Sequence, residues 1–170
     1  MPAPSERPIN VYRVHPLTIW ITAFLALVLQ TFLPVVLPLA RLIDLPLLVV
    51  IYFSVMRRSK VFGTLLGTVL GLAEDALSHG FLGIFGIANA LVGYFGAWAS
   101  VQFDLEQFLG RLALTAALVL FHSLALTGLR HVLMASPPSF QPLDLASLVL
   151  LNSALALVLF QVLDRFRRPA

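Results

Sequence analysis

Six apolar runs dominate the chain, at residues 17–37, 42–56, 61–77, 81–101, 110–134 and 147–163. Only short polar breaks interrupt them: "ARLID", "RRSK", "SHG", "DLEQ" and "ASPPSFQPLD". A helix rises 1.5 Å per residue, so about 20 apolar residues cross a ~30 Å hydrocarbon core. Charged residues make up 11% of the 170, where a soluble domain carries about 25%. The pattern predicts an all-α polytopic integral membrane protein, a compact bundle of six transmembrane helices. The second run is the weak one, since fifteen residues give roughly 22 Å.

Around this bundle the expected organisation is a polar tail over 1–16, the helical domain over 17–164 and a basic tail over 165–170. The run after the first tail is too long for a signal-peptide core and lacks a small-residue cleavage site, so it reads as a retained helix. No soluble domain is expected. There is no cysteine, which excludes disulfides, thiolate metal sites and cysteine nucleophiles.

The pI near 10.0 resembles a nucleic-acid signal until the basic residues are placed. Arg7 and Arg13 precede the first run, and Arg57, Arg58 and Lys60 follow the second. If both groups are cytoplasmic, 17–56 crosses twice or not at all, and Pro34, Pro38 and Pro46 suit a turn in the middle. Six crossings then place Arg111, Arg165, Arg167 and Arg168 on the same side, leaving only Arg41 and Arg130 outside. Lys and Arg in short loops set orientation, so both termini are expected in the cytoplasm. The basic residues form a rim facing anionic lipid headgroups, and no nucleic-acid partner is needed.

Helix starts fit this layout. Asp104 with Gln107 makes a capping-box-like start for the fifth helix. Asp144 stands just before the sixth, and Asp44, two residues before Pro46, is placed to cap the second.

The stretch "GLAEDALSHGFLG", 71–83, carries two adjacent carboxylates, Glu74 and Asp75, in an otherwise apolar setting. Asp75 lies fourteen residues beyond Val61, roughly 21 Å into the core, below the outer surface by more than a turn. Gly63, Gly67, Gly71 and Asp75 recur every fourth residue and share one stripe. Such a stripe lets another helix backbone approach closely. The fourth run offers a matching one in Gly83, Gly86 or Ile87, Ala90, Gly93 and Ala97, and "SHG" is short enough to force an antiparallel hairpin. Glu74, about 100° round, is expected nearer headgroups or a partner.

An intramembrane acid is a functional candidate, and three roles for Asp75 stand open. It accepts hydrogen bonds from Ser78, His79 or the backbone N–H groups opening the fourth helix; or it binds a partner helix or ligand; or it relays protons or ions. A relay needs further buried groups on facing helices, and only His122, beside Ser123, qualifies. His122 itself reads as a packed histidine, Asn89, Asn152 and Gln161 as interhelical glue, and Trp20, Tyr52, Tyr94 and Trp98 as an aromatic belt. Metalloprotease, serine-hydrolase and phosphate-loop motifs are missing, and neighbouring carboxylates on a helix point apart. Neither enzyme activity nor a cofactor is expected.

The middle of the chain resembles a known family. Asp44 and Pro46 opening the second helix, then Arg57–Arg58, the ladder Gly63, Gly67, Gly71, then Asp75, Leu82–Gly83 and Gly93–Tyr94, are similar to MreD, the rod shape-determining membrane proteins of bacteria. The likeness covers about 41–100. Many such sequences have a proline directly before the acid, where this chain has Ile43. The resemblance implies a non-enzymatic component of the cell-elongation machinery in the bacterial inner membrane. Its implied partner is MreC, a single-span protein with a large periplasmic part, in a hetero-oligomer with MreB, RodA and its transpeptidase. These residues would then serve helix packing or partner binding.

The six-helix layout also resembles the substrate-binding subunits of energy-coupling-factor vitamin transporters. That alternative requires a polar pocket near the outer leaflet. Asp75, Glu74, Arg130, His131 and His79 lie at that depth, but no clustered set of aromatic and amide residues is evident in the sequence.

Overall fold

The computed structural model describes residues 15–78, 81–103, 108–134 and 142–165. Among them the chain forms six α-helices: α1 Pro16–Val36, α2 Leu45–Arg57, α3 Lys60–Ser78, α4 Ile84–Gln102, α5 Phe108–Met134 and α6 Pro142–Asp164. A short 3-10 turn, Pro38–Leu42, joins α1 to α2. All but α2 are long and apolar enough to cross a membrane. Their outward faces carry Phe24, Val35, Leu65, Val132 and Leu150, each well exposed. Such a surface would drive association in water, and hydrocarbon is its natural solvent. The chain is a multi-pass helical membrane protein.

The second helix has a different role from the others. Its 13 residues reach roughly 20 Å. Every side chain from Pro46 to Ser54 is buried. A helix apolar on all faces belongs in the interior, and α2 touches each of the other five helices. Leu37, before Pro38, is extended (φ −123°, ψ 105°), as the ring of a following proline demands, so the chain leaves α1 there. The apolar run 42–56 therefore spends its first residues in a break, and the helix starts at Leu45.

That break leaves backbone groups outside any helix ladder, and two amide side chains satisfy them. Asn152 on α6 accepts the N–H of Asp44 at 2.8 Å and donates to the carbonyl of Leu42 at 2.7 Å. Gln30 on α1 donates to the carbonyl of Ile43 at 2.9 Å and accepts the N–H of Leu45 at 3.0 Å. Asp44 caps the helix by accepting the N–H of Leu47 at 2.9 Å. Irregular backbone packed against other helices survives only with such partners.

The most extensive helix contact is the antiparallel pair α3 and α4, with α2 packed on both. A Cβ added to Gly63 would overlap the carbonyl of Gly93, one on Gly67 that of Asn89, and one on Gly71 that of Phe85. At these three positions only hydrogen fits between the backbones.

At the far end of the bundle, Arg111 on α5 pairs with Asp164 on α6 at 2.9 Å. Tyr52 also donates to Asp164, at 2.9 Å. Tyr52 is buried, so it is a core anchor and not a member of an aromatic belt, as α2 lies inside. Trp20, Tyr94 and Trp98 are exposed. Gln161 is exposed on α6, so it does not glue helices within this bundle. The sixth helix starts at Pro142, which puts Asp144 in its first turn and not before it; there a carboxylate still favours the helix dipole. Asp104 with Gln107, His79, and residues 1–14 and 166–170 of the tails lie outside the described residues.

Candidate functional site

Asp75 ends the glycine stripe, and its carboxylate meets the start of α4. Oδ2 accepts the N–H groups of Gly83 (2.9 Å) and Gly86 (3.0 Å), and Oδ1 accepts that of Phe85 (3.1 Å). The first N–H groups of a helix have no partner within it, and an anion there meets the positive end of the helix dipole. Gly83 sits just before α4 at φ +102°, a conformation that glycine adopts freely. Its position in the stripe is thus a turn, and a Cβ there would meet nothing. Ser78 turns back onto the Asp75 backbone carbonyl.

Glu74 lies elsewhere than expected. It is 8% exposed, and its Oε2 accepts from Asn89 Nδ2 at 2.7 Å. The reason is a second stripe. Leu66, Leu70 and Glu74 are buried beside Gly63, Gly67, Gly71 and Asp75, so α3 presents two neighbouring faces to protein. One packs on α4, the other turns inward. Glu74 ends the inward one and faces Asp44.

A cavity of about 460 Å³ opens at this end of the bundle. Its polar lining comes from Gln30 and Thr31 on α1, Arg41 and Asp44 at the break, Glu74 and Ser78 on α3, and His122, Ser123 and Arg130 on α5. Leu27, Leu77, Leu126, Leu148 and Phe85 supply apolar walls. His122 is 3% exposed. Its Nδ1 lies 3.8 Å from Asp44 Oδ2, beyond hydrogen-bond length, and its Nε2 has no hydrogen-bond partner among the described residues. Arg130 lies over the Phe85 ring, 5.7 Å from its centroid. No group of three or more His, Asp and Glu side chains among the described residues is placed to hold a metal ion.

The cavity thus gathers Asp44, Glu74, His122 and Arg130 from three separate parts of the chain. His131 does not line it, and Asp75 is turned away into the α4 cap. Tyr94 and Gly93 lie farther along α4, Gly93 against Gly63. Gln30 and the Glu74–Asn89 pair were not anticipated as partners. The signal for Gln30 was an amide alone in an apolar run, the kind of intramembrane polar residue that needs a named partner.

Fold and site together define a class: a helical membrane bundle with a polar cavity at one end, beside a backbone-to-backbone helix seam. Compared with known protein families, curated proteins and solved structures, the chain matches none.

Proposed function

We propose that this chain is an MreD-like, non-enzymatic component of the bacterial cell-elongation machinery. The reading rests on the resemblance over residues 41–100. One observation supports it: Gly63, Gly67, Gly71, Asp75, Gly83 and Gly93 meet along a single α3–α4 seam. Helix periodicity alone puts the first four on one face of α3; the fold adds that this face meets Gly83, at the start of α4, and Gly93 within it. In this proposal the protein lies in the inner membrane with both termini cytoplasmic, and it binds an MreC-like single-span protein in a hetero-oligomer. The bundle then has the fold of the substrate-binding subunits of energy-coupling-factor transporters.

Co-purification in mild detergent with the membrane proteins of its own cell tests this. A single-span protein with a large periplasmic part should stay bound, together with elongation components. A cysteine replacing Arg58 should resist an impermeant thiol reagent in intact cells, and one replacing Leu82 should react; the reverse pattern would overturn the orientation.

A second reading, a small-molecule binding subunit of a transporter, is favoured by the cavity lined by Asp44, Glu74, His122 and Arg130. Recovery of ATP-hydrolysing subunits in place of a single-span partner would select it.

A further inference from the structure

We propose that the cavity binds a zwitterion, with an ammonium group against Asp44 and Glu74 and a phosphate or carboxylate against Arg130. The inference goes beyond both readings above, since such a ligand could regulate a scaffold or be a cargo.

The inner end of the cavity carries two carboxyl groups, Asp44 and Glu74, that face each other. Asp44 commits Oδ1 to the α2 cap; Oδ2 lies 3.8 Å from His122 Nδ1, and the carboxyl is within hydrogen-bonding reach of Glu74. Glu74 commits Oε2 to Asn89 and faces Asp44. His122, almost wholly buried, leaves Nε2 without a hydrogen-bond partner among the described residues. Ionised carboxylates accept hydrogen bonds and cannot donate them. Two of them facing each other in a low dielectric repel unless a cation or a shared proton intervenes. An ammonium group brings one positive charge and three donors, which suits this end.

The outer end has the opposite chemistry. Arg130 follows His122 by two helical turns, roughly 12 Å along α5, with Leu126 between them on the cavity wall. Arg41 lines the same space and is exposed. Guanidinium groups only donate, and they pair best with phosphate or carboxylate. A simple cation would meet repulsion at the rim and a simple anion at the floor. A molecule carrying both charges, a few bonds apart, satisfies each end. The volume, about 460 Å³, falls in the range of small-ligand pockets.

This chemistry has two sources. The cavity lies where α3 ends and α4 begins, near Ser78 and Phe85, a depth at which an ethanolamine phospholipid headgroup could enter. A free zwitterion such as O-phosphoethanolamine could enter from the aqueous side.

The full chain, purified in detergent, is mixed with equal amounts of phosphatidylethanolamine, phosphatidylcholine and phosphatidylglycerol of matched acyl chains, and retained lipid is read by native mass spectrometry. In parallel, O-phosphoethanolamine is titrated against the delipidated protein and thermal unfolding recorded. The lipid source predicts phosphatidylethanolamine retained about tenfold over the other two, because the choline headgroup donates no hydrogen bond. The free source predicts a rise in melting temperature with O-phosphoethanolamine and no preference among lipids. Under either, Glu74→Gln and Arg130→Gln each weaken binding about tenfold. Arg130→Gln serves alone if Glu74→Gln does not fold. Equal retention of the three lipids with no response to O-phosphoethanolamine, a preference for phosphatidylglycerol, or wild-type binding by Arg130→Gln would overturn the proposal. Because no partner is present, these outcomes are independent of whether an MreC-like protein co-purifies.

Discussion

Asp75 and Gly86 hold α3 to α4 through a carboxylate and a backbone N–H, 3.0 Å apart. The bond ends a seam in which three glycines have already brought the two backbones together. A side chain too short to reach solvent thus satisfies the start of a helix where water is scarce.

Removing that acceptor strands up to three donors. Asp75→Ala is expected to lower stability by about 2–4 kcal/mol. Asp75→Asn, which keeps one acceptor oxygen, should lose less. Thermal unfolding of the purified variants in one detergent measures both, and a wild-type melting temperature for Asp75→Ala would contradict the cap.

Glu74 should matter as well, because it is buried and bonded to Asn89. Glu74→Ala and Asn89→Ala are each expected to cost about 1–3 kcal/mol through the stranded partner. Their double variant should cost less than the sum, by about 1–3 kcal/mol, since one bond is lost once. Simple additivity in the double-mutant cycle would show that the two side chains do not depend on each other.

The glycines separate into classes. Gly67→Ala and Gly67→Leu push a Cβ into the Asn89 carbonyl and should destabilise by several kcal/mol, as overpacking does, with leucine the worse. Gly83→Ala meets no atom but must hold φ +102°, costing about 1–3 kcal/mol of backbone strain. Gly128→Ala on α5 also meets nothing and should be neutral or stabilising by up to about 1 kcal/mol. Melting temperatures in the order Gly128→Ala, Gly83→Ala, Gly67→Ala, highest first, are the expected result; a tolerated Gly67→Leu would mean the stripe is not in contact.

At the break before α2, Asn152→Leu leaves the Asp44 N–H and Leu42 carbonyl unpaired, and Gln30→Leu does the same to Leu45 and Ile43. Each should cost about 2–4 kcal/mol despite adding apolar surface. Unchanged unfolding of Asn152→Leu in a lipid nanodisc would show that water or another group supplies those bonds.

How far the sequence alone determined this protein depends on the range of each interaction. Uninterrupted apolar length marked the five helices long enough to span, because hydrocarbon tolerates little else. The four-residue recurrence of Gly63, Gly67, Gly71 and Asp75 marked a close-packed face, because helix geometry is local and periodic. Asp44 before Leu45-Pro46 marked a helix start for the same reason. Long-range packing decided the rest. Glu74 was legible as an acid 100° from Asp75, but its direction depends on α2 filling the inward flank of α3. The burial of α2, and with it Tyr52, follows from five helices closing around it. The cavity joins Asp44, Glu74, His122 and Arg130, which no local pattern connects. Apolar spacing records only that a face is buried, since Leu66, Leu70 and Glu74 would be spaced alike against any neighbour. Which neighbour covers that face is decided when the backbones meet, and there the charges of three distant segments come to share one space.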